Sequence, residues 1–174
     1  KQKSERVKDK NFRKINGKPL YEYYLSKLKK CNFDSVYIDT DSEKIKKFAK
    51  KLNYNIIDRL PYLSKNNANG NDLLNYHARI INADLYFQLF ITSPLLREKT
   101  INMAISKLKN TKVYDSIFTV QKIYSWFWFS NKPVNYNPKI LPRSQDAKPI
   151  VKETTGLYGI KKKELLKYKC RIGK

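Results

Sequence analysis

LYFQLFI, at residues 85–91, is the stretch of sequence that decides the fold class of this chain. It is a short, nearly continuous apolar run that is interrupted by Gln88 and ends at the turn-forming residues Thr92-Ser93-Pro94. Runs of this kind are typical of strands that are buried on both faces, as in a parallel sheet covered by helices. The stretch therefore predicts an interior strand of an α/β protein.

Strand and helix patterns alternate on both sides of this strand. Apolar residues recur at helical spacing in residues 74–81 and again in residues 101–108. Further elements are predicted as strands at 35–39, 54–57, 116–120 and 156–160, and as helices at 20–28, 45–52 and 161–167. Such alternation with short connections predicts an α/β layered fold with a largely parallel sheet, whose ligands bind beyond the carboxyl ends of the strands.

The sequence predicts one domain that lacks its first strand and its closing element. No repeat, linker or shift in composition marks a boundary, so residues 1–174 are predicted to form a single domain, with an irregular, aromatic region at 121–150. The first 18 residues form a polar loop that leads into a helix. Because a βα unit begins with a strand, we expect the chain to start just after its first strand and to stop before a closing element.

Composition excludes several classes of protein. With 174 residues, 41% hydrophobic and 13% aromatic, the chain has enough apolar surface to form a core and is not a disordered polyelectrolyte. No apolar run approaches the roughly 20 residues of a membrane span, and we expect no secretory leader before the domain. Cys31 and Cys170 are too few for a disulfide framework or a four-cysteine zinc site. We expect a soluble, cytoplasmic domain.

The formal net charge of +22 has two explanations. It favours anionic ligands, including nucleic acids. Alternatively, since almost all of the basic residues are Lys and the chain is also rich in Asn, Ile and Tyr, the charge reflects AT-rich coding on a solvated surface. We give the second explanation more weight.

Seven segments in order along the chain carry a family resemblance. The first is the loop KQKSERVKDKN at 1–11, whose Arg and Lys side chains precede a helix and are suited to bind phosphate. This loop resembles the N-terminal motif of the sugar-acid cytidylyltransferases, which activate sialic-type and keto-deoxy sugar acids as CMP conjugates. The other segments that resemble family motifs are NGKPL (16–20), IDTDS (38–42), RLPYL (59–63), TSPL (92–95), DSIFTV (115–120) and PRSQD (142–146), the last followed by Glu153 and Leu157-Tyr158.

The resemblance implies a three-layer, Rossmann-like nucleotidyltransferase fold with a mostly parallel central sheet. It also implies a reaction of CTP with an anionic sugar acid that gives the CMP-sugar and pyrophosphate, with Mg²⁺ as cofactor. The implied protein is a cytoplasmic homodimer, with residues 121–150 at the subunit interface or the sugar site, and with neither a membrane nor a nucleic acid as partner. The family's metal-binding Asp-x-Asp segment would lie beyond Lys174, so the metal ligands of this chain stay unknown.

Carried over by position, the resemblance also implies individual site residues. Lys10 and Arg6 would be catalytic, stabilising charge on the phosphates. The nucleotide would be held by Lys1, Ser4, Arg6, Lys10, Asn11, Arg59, Asn66, Ala68 and Gly70, and the sugar acid by Phe90, Thr92, Ser93, Arg143 and Gln145. The chain departs from the family pattern at Gln2-Lys3, which replaces a glycine pair, and at Glu5, Asn66 and Phe90.

Other readings of the chemistry stay open. His77 is expected to be a satisfied core histidine rather than a ligand or base. Asp39 and Asp41 are expected to be helix caps rather than metal ligands, and Asp41 or Ser42 is expected to cap the helix at 45–52. The run Trp126–Phe129 favours a subunit interface or local core over stacking on bases. As alternatives to an active enzyme, the chain would be a catalytically impaired nucleotide-binding relative or a basic nucleic-acid-binding module.

Overall fold

The structure of the chain is a computed structural model that describes residues 7–65 and 67–174. It divides into two compact units. The first unit comprises the residues up to Phe118 together with Gly156–Lys174, and the second comprises Thr119–Thr155. The second unit contains the irregular region that the sequence places at 121–150.

The elements follow the alternation that the sequence predicts. The helices are α1 (Leu20–Leu28), α2 (Glu43–Lys51), α3 (Gly70–Ile80), α4 (Glu98–Asn110) and α5 (Lys162–Tyr168). The strands are β1 (Lys14–Ile15), β2 (Lys18–Pro19), β3 (Tyr37–Thr40), β4 (Asn55–Asp58), β5 (Leu85–Leu89), β6 (Ser116–Ile123), β7 (Trp128–Phe129), β8 (Lys132–Pro133) and β9 (Ile150–Lys161). Short 3₁₀ turns occur at Lys10–Phe12, Pro61–Ser64 and Ser144–Asp146.

Two helix starts follow from local sequence. Ser42 is the N-cap of α2, where its hydroxyl accepts a hydrogen bond from the Ile45 amide at 3.5 Å. Asn69 and Asp72 form a capping box at α3: Asn69 Oδ1 accepts from the Asp72 amide at 3.3 Å, and Asp72 Oδ2 accepts from the Asn69 amide at 2.8 Å. Of the two residues expected to cap α2, Asp41 and Ser42, it is Ser42 that does so. Asp39 makes other contacts.

The described strands of the first unit form two main sheets. β3 and β4 are parallel, with Ile38 opposite Ile56. In the other sheet the order is β5-β9-β6, and β9 runs antiparallel to β5 with Phe87 opposite Gly159. The sheet is therefore not uniformly parallel. A parallel β9 would need a crossover connection, which is usually a helix. The chain instead reaches β9 through the irregular second unit.

Apolar clusters on the two faces of the strands make the fold three-layered. Side chains of α1, α2 and α4 form one cluster, which includes Tyr21, Tyr24 and Ile101. Side chains of α3 and α5 form the other with Tyr86 and Ile160. Neighbouring residues of a strand point to opposite faces, and Phe87 packs against the first cluster while Tyr86 belongs to the second. The sheet therefore has helices on both sides, as the interior strand LYFQLFI predicts.

The second unit is built around a hairpin and one asparagine. β7 and β8 pair antiparallel, and both residues of the connecting turn have positive φ, 48° at Ser130 and 61° at Asn131, as in a type I′ turn. The Asn135 side chain accepts from the Phe127 amide at 2.9 Å and donates to the Ser125 and Lys148 carbonyls, both at 2.7 Å. These bonds fix the path of the irregular chain.

Among residues 7–65 and 67–174, no helix combines the length and the apolar character that crossing a membrane requires.

Candidate functional site

A charged cluster lies at the carboxyl ends of the parallel pair β3–β4. Asp39 stands near the end of β3, and Arg59 follows β4 directly. Arg59 Nε donates to Asp39 Oδ1 at 2.8 Å, and Arg59 Nη2 donates to the Asp39 main-chain oxygen at 2.9 Å. His77 of α3 lies 2.7 Å from Asp39 Oδ2 through its Nε2. One carboxylate thus joins three elements at the sheet edge where α/β proteins bind ligands.

The electrostatics of this cluster keep Asp39 ionised. Burial raises the pKa of the Asp39 carboxyl, but the hydrogen bonds from His77 and Arg59 and the positive charge of the guanidinium outweigh it, so the pKa lies below its ordinary value of 3.8. The Asp39 and Arg59 side chains are only 8% and 11% exposed. Because an ionised carboxylate only accepts hydrogen bonds, His77 Nε2 carries the proton in this contact. His77 therefore has a hydrogen-bond partner, as the sequence predicts, and this partner is the carboxylate of Asp39.

A cavity of about 750 Å³ adjoins the cluster. Residues 35–39 and 83–91 line it, so it lies between β3 and β5, which do not pair with each other in the part of the chain that the structure describes. Side chains of α1, α3 and α4 complete its walls. Of the predicted site residues, Arg59 and Phe90 line this cavity, together with His77 and Gln88.

Gln88 and Arg171 form a second polar group that the sequence analysis did not assign to the site. The Gln88 side chain is buried, donates to the Gly70 carbonyl at 2.9 Å, and accepts from Arg171 Nη1 at 3.4 Å. The Arg171 guanidinium lies 3.6 Å from the centre of the Tyr158 ring. The signal for Gln88 was present, since it is the polar residue inside an apolar run, whereas nothing near Arg171 in the sequence distinguishes it.

Gly70, which is predicted to contact the nucleotide, lies against the side chains of Gln88 and Arg171. A Cβ at position 70 would lie 2.5 Å from Arg171 Nη1 and 3.1 Å from Gln88 Oε1. Gly70 is the first residue of α3, where the chain passes close to both side chains. The lack of a side chain at this position thus lets Arg171 approach.

The loop after β5 contains the three predicted residues Phe90, Thr92 and Ser93. The Ser93 amide donates to the Phe90 carbonyl at 3.0 Å, which closes a tight turn. The Phe90 ring packs edge-on against Tyr158 with their centres 6.2 Å apart. Thr92 is exposed and Ser93 is half-buried, so the turn brings two hydroxyls to the end of the strand.

The remaining predicted residues lie in three places. Lys10 and Asn11 belong to the 3₁₀ turn Lys10–Phe12, which is fixed to α1 by the Phe12 ring, 5.5 Å from the Tyr21 ring centre. Ala68 precedes α3 and is half-buried. The positions predicted at Lys1, Ser4, Arg6 and Asn66 lie outside the described residues.

Arg143 and Gln145 belong to the second unit. Both side chains are exposed, and Arg143 Nε donates to Asp146 Oδ2 at 2.6 Å. The described part of that unit thus already provides an acidic partner for Arg143, which an incoming carboxylate would have to displace.

The described residues contain no preformed cluster of metal ligands. No group of three His, Cys, Asp or Glu side chains among them is arranged to hold a metal ion. Asp39, the most buried carboxylate at the sheet edge, already has Arg59 and His77 as partners.

Comparisons with known proteins identify relatives of one kind. The model of the family described as cytidylyltransferase matches residues 2–171. N-acylneuraminate cytidylyltransferase A of Danio rerio is 29% identical over 167 residues, which is 90% of this chain and 38% of that protein. N-acylneuraminate cytidylyltransferase of Oncorhynchus mykiss is 27% identical over 79% of this chain and 34% of its own length. The chain thus spans little more than a third of these relatives.

Solved structures support the fold. A CMP:2-keto-3-deoxy-manno-octonic acid synthetase complexed with CTP superimposes with a TM-score of 0.67 at 18% identity, covering 93% of this chain and 71% of that one. A cytidylyltransferase from Leptospira borgpetersenii superimposes with a TM-score of 0.61 at 17% identity, covering 95% of this chain and 59% of that one. At these identities the superpositions establish a shared fold, the Rossmann-like nucleotidyltransferase fold.

Proposed function

The chain belongs to the cytidylyltransferase family, and we propose that the protein containing it transfers CMP from CTP to a keto-deoxy sugar acid of the sialic-acid type with release of pyrophosphate. The family match over residues 2–171 carries this proposal. The relatives that are named N-acylneuraminate cytidylyltransferases support the choice of acceptor.

The geometry at the carboxyl ends of the strands supports a nucleotide site. Arg59 directly follows β4, and the turn that holds Thr92 and Ser93 follows β5, so these residues stand at the carboxyl ends of two strands. The guanidinium of Arg59 is fixed at two points by Asp39, so it does not lose side-chain entropy again when a ligand binds. We assign the nucleotide base to the region of Arg59, Ala68 and Gly70.

The reaction requires positioning more than covalent help from the protein. The anomeric hydroxyl of the sugar acid attacks the α-phosphorus of CTP and gives up its proton to solvent. A new phosphorus–oxygen bond forms, the bond from the α-phosphorus to the bridging oxygen breaks, and pyrophosphate leaves with the electrons of that bond. Cationic groups lower the barrier by neutralising the charge that builds on the phosphates. We assign this role to Lys10, with Arg6, Lys1, Ser4 and Asn11 as further triphosphate contacts.

We propose Mg²⁺ as the cofactor, with ligands from a part of the protein outside the described residues. Among the residues that the structure describes, no group of three ligand side chains is arranged to hold the ion. Its requirement is tested by adding a chelator to the assay and restoring the activity with excess Mg²⁺.

The second unit is the surface that we propose for dimerisation. The indole of Trp128 is 58% exposed and the ring of Phe129 is 77% exposed, and Val134 and Ile140 are exposed in the same unit. Exposed aromatic residues of this kind are favoured in protein interfaces. We further propose a cytoplasmic location, where the nucleotide substrate is available.

The proposed function is tested on the full-length protein with CTP, Mg²⁺ and eight- or nine-carbon keto-deoxy sugar acids. We expect pyrophosphate release that depends on both substrates and that ATP, GTP and UTP do not support. Tight CTP binding without release would instead indicate a catalytically impaired relative. Binding to RNA or DNA that weakens steeply with salt, without selective CTP binding, would indicate a nucleic-acid-binding module.

A further inference from the structure

Lys27 is a partly buried lysine that contacts the loop between β5 and α4. It lies in the last turn of α1, and its Nζ donates to the main-chain oxygen of Leu96 at 2.8 Å and to that of Pro94. The ammonium also lies 5.3 Å and 5.4 Å from the ring centres of Tyr23 and Tyr24. Burial lowers the pKa of the Lys27 ammonium, and the charge of Glu98 opposes this shift.

The loop that Lys27 contacts is held by few other bonds. Two successive turns shape it, closed by the Ser93 amide on the Phe90 carbonyl at 3.0 Å and by the Leu96 amide on the Ser93 carbonyl at 3.1 Å. Pro94 has no amide hydrogen to contribute. Helix α4 follows at Glu98 without a side-chain hydrogen bond from its N-cap Arg97.

An ammonium is well suited to this place because it has three donors and no acceptor. It satisfies two carbonyls that would otherwise lose their partner next to aromatic rings, and hydrogen bonds from a charged donor are stronger than neutral ones. The two carbonyls flank Leu95, which is 84% exposed and therefore contributes little to packing. The path of the loop depends on Lys27 and the two turns together.

We propose that Lys27 is a positioning residue for the substrate site: by holding the carbonyls of Pro94 and Leu96, it fixes the turn that presents the hydroxyls of Thr92 and Ser93. This inference rests on the proposed function for the identity of the substrates. Lys27 acts through the loop, and no contact between its side chain and a substrate is required.

The test uses Lys27→Met, which keeps the length of the side chain and removes the charge and the donors, and Lys27→Arg, which keeps both. Hydrogen exchange of the free full-length protein, measured without substrates, is expected to be faster at the Ser93 and Leu96 amides in Lys27→Met and close to the parent in Lys27→Arg. In the pyrophosphate assay, KM for the sugar acid is expected to rise about tenfold in Lys27→Met, equivalent to about 1.4 kcal/mol, with a smaller change in kcat.

A matched control separates positioning from general stability. Asn102 of α4 also ties α4 to the chain after α1, because its Oδ1 accepts from the Asn32 amide at 2.8 Å and its Nδ2 donates to the Lys30 carbonyl at 3.3 Å. Asn102→Ala is expected to lower thermal stability without raising KM or exchange in the loop.

The outcomes distinguish the two proposals. Unchanged exchange at Ser93 and Leu96 in Lys27→Met overturns the role of Lys27 whether or not the protein is active. If exchange is faster in Lys27→Met but its KM is unchanged, the positioning role is overturned. The same holds if KM rises equally in Asn102→Ala. In both cases Lys27 only stabilises the structure. An inactive parent protein overturns the proposed function, and the exchange data still decide whether Lys27 fixes the loop.

Discussion

Asp39 accepts two hydrogen bonds from Arg59, one through Oδ1 at 2.8 Å and one through its main-chain oxygen at 2.9 Å. Asp39 is the penultimate residue of β3 and Arg59 directly follows β4, so the parallel pairing of the two strands brings them together. Since His77 takes the other carboxylate oxygen, the orientation of Arg59 depends on an acid that is held by two separate elements of the fold.

This arrangement predicts how stability depends on pH. The pKa of Asp39 lies below its ordinary value of 3.8 in the folded protein, so its contribution is fully present above about pH 4 and is lost as the pH falls through the lowered pKa. We expect the urea midpoint of unfolding to drop below about pH 4 in the parent protein. In Asp39→Asn, the drop of the midpoint at low pH is expected to be smaller. At neutral pH, the free energy of unfolding of this variant is expected to be lower than that of the parent by roughly 3 kcal/mol.

Asp58→Asn is the control for this measurement. Asp58 ends β4 and pairs with Lys46 at 2.5 Å, but its side chain is 81% exposed, and surface pairs contribute about 0–1 kcal/mol. An equal loss of stability or of pH dependence in Asp58→Asn would show that the buried cluster has no special role.

Arg59→Lys tests whether the geometry of the guanidinium matters beyond its charge. Lysine keeps the positive charge but lacks the planar fork that reaches both the side chain and the main chain of Asp39. We expect CTP affinity, measured by calorimetry, to fall about tenfold, equivalent to about 1.4 kcal/mol. Arg79→Lys, at an exposed position of α3, is the control. Parent-like affinity in Arg59→Lys would remove Arg59 from the nucleotide site.

The sequence predicted the elements better than the contacts between them. A strand within 85–91 is confirmed at Leu85–Leu89, and the helix over 74–81 at Gly70–Ile80, because hydrophobic period and capping are local properties. The expected interior position is not seen among the described strands, where β5 lies at the end of the order β5-β9-β6. The link between Asp39 and His77 joins side chains 38 positions apart. Such a pair depends on how α3 packs on the sheet, which no local pattern encodes.

Two further features depended on long-range structure. The antiparallel course of β9 follows from an irregular connection without a crossover helix, and the pairing of Gln88 with Arg171 spans 83 positions. The strand expected before Lys1 stays a prediction. Among residues 7–65 and 67–174, β3 and β5 line one cavity and do not pair with each other.

Lys10→Ala tests the proposed electrostatic role of the N-terminal loop. Removing a cation that neutralises the developing charge is expected to lower kcat by at least about 100-fold, while the circular dichroism spectrum stays unchanged. Lys14→Ala is the matched control, since Lys14 is exposed in β1 only a few residues away. Normal turnover in Lys10→Ala, or an equal loss in Lys14→Ala, would exclude a specific role for Lys10.

Gly159→Ala tests the packing at the centre of the three-stranded sheet. A Cβ at position 159 would overlap the ring of Phe87, which lies opposite it in β5, and would lie 3.0 Å from Ile117 Cγ2 of β6. Because the aromatic ring is rigid and confined by the first apolar cluster, we expect a loss of roughly 1–3 kcal/mol in unfolding free energy.

Adding Phe87→Leu to Gly159→Ala is expected to recover part of this loss, since leucine is smaller and has more rotamers. Thermal unfolding of the parent, both single variants and the double variant measures this coupling. Additive losses would contradict a direct clash between Gly159 and Phe87, and would mean that the glycine at 159 serves the strand backbone instead of the ring packed against it.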